Sequence, residues 1–97
     1  MNTHAEAIEW FQNAGWIALP RTWALGETIL VAASKEDHQG INMLRHAVYL
    51  YCQDGVWRIF SSGSAERHFE QLHDAVLAIH EWLLEQIRNV SDGRPCV

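Results

Sequence analysis

Apolar residues change their period three times along the chain. From Thr28 to Ser34 (Thr28-Ile29-Leu30-Val31-Ala32-Ala33-Ser34) they run almost unbroken and start β-branched, which predicts a strand with both faces partly covered. From Ala47 to Ser61 two strand-like runs flank Asp54-Gly55, the dipeptide suited to a two-residue type I′ hairpin turn. With those two residues as the loop, Gln53 opposes Val56, Cys52 opposes Trp57, Tyr51 opposes Arg58, Leu50 opposes Ile59 and Tyr49 opposes Phe60. One hairpin face then carries Val48, Leu50, Cys52, Trp57 and Ile59, and the other Tyr49, Tyr51, Arg58 and Phe60.

Helical signals bracket these strands. Thr3 and Glu6 have capping-box spacing, so a helix is expected from His4 to about Ala14, with Ile8 and Phe11 as its apolar stripe and Gly15 just past its end. Ser64 is a plausible cap for a second helix, which meets no breaker before Ser91-Asp92-Gly93-Arg94-Pro95. A long helix from Ala65 to about Val90 follows, with Phe69, Leu72, Val76, Ile79, Leu83, Ile87 and Val90 in one stripe. Trp16-Ile17-Ala18-Leu19 has strand character, but Pro20 removes an amide, so a fourth strand there stays open. The charged segment from Lys35 to Asn42 reads as a polar loop.

The expected architecture is α+β: a helix, a three-stranded antiparallel meander and a long C-terminal helix, with both helices packed on one face of the sheet. At 97 residues and 48% hydrophobic, the chain suits one domain over residues 1–97, with 91–97 expected as a flexible tail. Met1, Asn2, Thr3 and His4 show neither a basic start nor an apolar stretch, and no apolar run reaches the roughly 20 residues of a membrane span. A cytoplasmic protein without a membrane contact is expected. Cys52 and Cys96 are too few for a disulfide framework or a Cys-x-x-Cys site; both read as free thiols, Cys52 as an inert one in the core.

Twelve acidic residues against seven basic ones give a net charge of −5, which disfavours a grip on nucleic acid. Glu70-x-x-His73 has the spacing of di-iron helices but no second copy, so no metal and no cofactor are expected. No G-x-S-x-G, glycine-rich phosphate loop or H-E-x-x-H is present, so no catalytic residue is assigned.

Recognition is the remaining chemistry. Under this architecture Tyr49, Tyr51, Arg58 and Phe60 point away from the helices as an aromatic patch with one cation, the composition of protein-interface anchors. If a second copy or the segment from Trp16 to Glu27 covers that face, these residues are packing instead. On the last helix Glu66, Glu70, Asp74 and Glu81 fall within about 80° of one another, an acidic ridge that suits a basic partner or simply faces solvent. His73, Leu77, His80 and Leu84 make a second stripe, and Leu83, Leu84 and Ile87 lie where the long helix outruns the sheet, a candidate homodimer contact.

The expected function is binding of another protein, as an inhibitor or immunity-type antagonist, through the aromatic face or the acidic ridge. Two alternatives stand beside it. One is a small-molecule sensor or enzyme with a pocket lined by Trp57, His73 and His80; the other is a self-associating structural domain. The five tryptophans are expected to fill seams between layers, with Trp23 the most exposed.

Overall fold

The computed structural model describes residues 1–23, 26–38, 41–61 and 66–92. Helix α1 (His4–Asn13) starts at the expected capping box: Thr3 Oγ1 accepts from the Glu6 amide at 3.1 Å, and Glu6 Oε1 accepts from the Thr3 amide at 3.1 Å. Backbone donors at Asn2 and Thr3 hold the Glu6 carboxyl below its ordinary value. The helix stops because Gly15 takes φ +95°, which lets the Gly15 amide reach the Gln12 carbonyl and the Trp16 amide reach the Phe11 carbonyl.

The meander has more strands than its sequence suggests. Strands β1 (Ile17–Trp23), β2 (Gly26–Ala32), β5 (Val48–Gln53), β6 (Val56–Phe60) and β7 (Arg67–Phe69) form one antiparallel sheet in the order β1-β2-β5-β6-β7. β1 runs through Pro20, which sits opposite Ile29; it is an edge strand, where a missing amide donor is tolerated. The hairpin register is the expected one, from Tyr49 opposite Phe60 to Gln53 opposite Val56. Asp54 and Gly55 both take positive φ, 55° and 77°, as a type I′ turn demands.

Two segments depart from expectation. The supposed polar loop is instead a hairpin of β3 (Ser34–His38) and β4 (Ile41–Arg45), which pair with each other and with no strand of the larger sheet. It prolongs the β2–β5 pairing, because Val31 opposite Val48 and Ser34 opposite Arg45 belong to one continuous register, interrupted where His46 adopts φ 57°. The long helix is also shorter at its start. α2 spans Leu72–Asp92, while Arg67–Phe69 adds a strand that covers the free edge of β6. At its other end α2 includes Ser91 and Asp92, which the sequence assigns to the tail. Ser64 and Cys96 lie outside the described residues.

Both helices bury their stripes against the aliphatic face of the sheet. Ala7 and Phe11 of α1 and Leu72, Ala75, Val76, Ile79 and Leu83 of α2 share a core with Ile29, Val31, Val48, Leu50 and Ile59. Full burial of such side chains is worth about 1.5–3 kcal/mol each, enough to fix which sheet face lies under the helices. Trp10, Trp57 and Trp82 pack partly buried against this core, and Trp16 lies within it. The Trp16 indole N–H donates to His80 Nδ1 at 2.9 Å, and Trp10 stands edge-on to the same ring at 5.2 Å. Indole is a donor only, so this bond keeps the His80 proton on Nε2.

Candidate interaction site on the outer sheet face

The strand register lays two rows across the face opposite the helices. Leu19, Leu30, Tyr49 and Phe60 line up in one, and Arg21, Thr28, Tyr51, Arg58 and His68 in the next. The rows differ in chemistry and in access. Leu19 and Phe60 stand 40% and 45% exposed, whereas Leu30 is buried between them. In the second row Thr28 and Tyr51 are buried, Arg21 and His68 are exposed, and Arg58 is intermediate.

Tyr51, Arg58, Glu66 and His68 form one hydrogen-bonded cluster. The Tyr51 hydroxyl donates to Glu66 Oε2. Arg58 Nη1 lies 3.4 Å from Glu66 Oε1 and 3.0 Å from His68 Nε2, and His68 Nε2 is itself 3.4 Å from Glu66 Oε1. The Tyr51 bond, aided by His68 and Arg58, holds the Glu66 carboxyl below its ordinary value, and the same bond, with burial, raises the Tyr51 phenol. A carboxylate anchored by a buried phenol therefore holds a guanidinium on the sheet surface. Preorganised cations of this kind bind with less loss of side-chain entropy.

The structure redistributes the expected site residues. Tyr49, Tyr51, Arg58 and Phe60 do share the outer face, but Tyr51 is only 6% exposed, so its ring is packing and its hydroxyl is positioning. Glu66 joins this face instead of a helical ridge, because residues 67–69 are extended and not helical. Glu70 lies at a bend before α2, which also removes the helical Glu-x-x-His geometry with His73. Asp74 and Glu81 remain exposed on α2, with Glu85 beside them. Leu83 is fully buried in the chain's own core and so is withdrawn from the expected dimer contact, while Leu84 and Ile87 are each 41% exposed.

Arg21, Leu19 and His68 were not picked out by sequence reasoning. A strand period across 67–69 would have set His68 beside Arg58. Cys52, expected in the core, is exposed near the β5–β6 turn, while Trp57 opposite it packs against the core. Trp57, His73 and His80 do not line a common pocket: the Trp57 ring meets His4 at 5.2 Å, His80 meets Trp10 and Trp16, and His73 is exposed. A cavity of about 70 Å³ lies elsewhere, between α2 and the sheet, lined by Val48, Ile59, Ser61, Arg67, Ile79 and Trp82.

Among the described residues no three His, Cys, Asp or Glu side chains gather to hold a metal ion. No described helix is long and apolar enough to cross a membrane. No protein-family model matches the chain, and no match is found among curated proteins or among solved structures.

Proposed function

We propose that this protein is a small cytoplasmic binding module that engages another protein through its outer sheet face, in the manner of an inhibitor or immunity-type antagonist. The observation that carries the reading is the pairing of exposed Phe60 and Leu19 with an Arg58 already held by Glu66 and His68. Apolar side chains beside a fixed guanidinium are the makings of an interface hot spot, since both bring contact energy at low ordering cost. Both helices pack on the opposite face, so a contact at Phe60 and Leu19 leaves the core they form in place.

Affinity capture from native cell extract tests this. The wild-type protein is expected to retain a defined protein that Phe60→Glu and Arg58→Ala each lose and that Glu9→Lys, on α1, keeps. Identical recovery with all four proteins refutes the outer face as the contact surface.

A further inference from the structure

We infer that the cavity between α2 and the sheet is a binding site for a small organic acid, a monocarboxylate with a short aliphatic tail. It lies on the helix side of the sheet and does not rest on the reading given for the outer face. The cavity measures about 70 Å³, and its lining grades from buried Val48, Ile59 and Ile79 through half-buried Ala78 and Trp82 to exposed Arg67. A lining graded in this way opens to solvent where β7 meets α2. The charge stands at the mouth, and the interior is aliphatic.

Strand register puts the cation there. Arg67 sits opposite Ile59, so it belongs to the sheet face that the helices cover, at the edge strand. Ile29, Val31, Val48, Leu50 and Ile59 on the same face are all aliphatic. Among the described residues no carboxylate stands within ion-pair distance of Arg67, whose guanidinium rests over the Phe69 ring, 5.2 Å from its centroid. The adjacent Glu66 is committed to the other face, where its carboxylate accepts from Tyr51. A cation–ring contact at an exposed site is weaker than a charge-assisted pair, so a carboxylate at the mouth draws the guanidinium away from Phe69. Ser61 is buried, lines the same cavity and is the diagonal cross-strand neighbour of Arg67, a relation that sets two residues about 7–8 Å apart. From that separation its hydroxyl and the guanidinium can donate to one carboxylate.

The volume sets the tail. An apolar cavity of about 150 Å³ takes a benzene ring, so one of about 70 Å³ fits a chain of roughly three or four carbons and excludes a ring or a long acyl tail. Val48, Ile59 and Ile79 cover that chain, and the guanidinium takes the carboxylate oxygens as a bidentate pair. A neutral alcohol of the same length keeps the tail contact and loses the ion pair, and an alkylammonium meets a like charge.

Titration of the isotope-labelled protein with sodium butyrate, followed by NMR, tests this. Butyrate is expected to shift the Trp82 indole and Ile79 amide resonances saturably, with a dissociation constant on the order of 1 mM. The neutral 1-butanol should bind about tenfold more weakly, butylammonium more weakly still, and octanoate no more tightly than butyrate. Arg67→Gln, at an exposed position, is expected to weaken butyrate about tenfold and leave 1-butanol unchanged. Ala78→Leu fills the cavity from the helix side and is expected to abolish binding of both; if circular dichroism shows that it disturbs folding, Arg67→Gln decides alone. No saturable shift with butyrate, shifts that map away from the cavity, or equal affinity of wild type and Arg67→Gln overturns the proposal. The last result would make Arg67 only a charge that guards the sheet edge against pairing. Phe60→Glu is expected to bind butyrate as wild type does, so failure here leaves the outer-face reading standing, and failure there leaves this one.

Discussion

The two faces of this sheet are built from alternate residues of the same strands and obey different rules. Beneath the helices, Ile29, Val31, Val48, Leu50 and Ile59 are aliphatic and are covered by other elements. On the opposite face Thr28, Leu30 and Tyr51 are also buried, yet they have polar or exposed neighbours such as Arg21, Arg58 and Phe60. Burial on the first face is layer against layer. On the second the hydroxyl of Tyr51 donates to Glu66, which joins the strand face to the segment leading into β7. A buried residue therefore does not by itself mark the face that holds the fold together.

Substitutions in the two faces, one fully buried and one 45% exposed, put this contrast to the test. Leu50→Ala is expected to cost about 2–5 kcal/mol in urea unfolding, since a fully buried leucine leaves a cavity between sheet and helices, whereas Phe60→Ala should cost under about 1 kcal/mol. Comparable losses would abolish the distinction. Gly55→Ala probes the turn that sends each side chain to its face. An added Cβ meets nothing within 4 Å, so the expected loss of roughly 1–2 kcal/mol is purely the strain of an L-residue at φ +77°.

Trp16→Phe keeps a ring in the α1–α2 seam but deletes the donor to His80. A loss of about 1 kcal/mol is expected, together with a shift of the His80 ring resonances in NMR spectra. Unchanged resonances would mean that the bond does not hold this seam.

The smallest effect concerns pH. The depressed Glu66 carboxyl contributes stability above its ordinary value of 4.5 and loses it as pH falls through the lowered one. The raised Tyr51 phenol prefers its protonated form in the fold, so its contribution is full below 10.0 and is lost as pH rises through the raised value. Urea midpoints of Tyr51→Phe should thus be flatter than those of wild type at both the acid and the alkaline end. Parallel profiles would show that the Tyr51–Glu66 bond adds nothing.

Where local chemistry is unambiguous, the sequence predicts the fold well. The Thr3–Glu6 box, the Gly15 stop and the Asp54-Gly55 turn each have a single economical conformation, and the hairpin register and its two faces follow from the last. Where tertiary context decides, prediction fails. Pro20 argues against a strand until β1 is known to lie at an edge. Phe69 fits a helical stripe and a strand alternation equally well, and the choice falls to the strand because the edge of β6 offers a partner. That one ambiguity explains the partly legible site. Tyr49, Tyr51, Arg58 and Phe60 could be placed together, but Glu66 and His68 could join them only after residues 67–69 became extended.

The register shared by the β2–β5 pair and the β3–β4 hairpin makes the latter an interchangeable cassette. Removing equal numbers of residues from its two arms keeps Val31 facing Val48, so the sheet below is indifferent to how far the cassette projects. An unequal change slides one strand past the other, and an odd slip would turn the aliphatic residues of β5 outward and its tyrosines toward the helices. Length is thus free to vary in this part of the molecule, while parity is not.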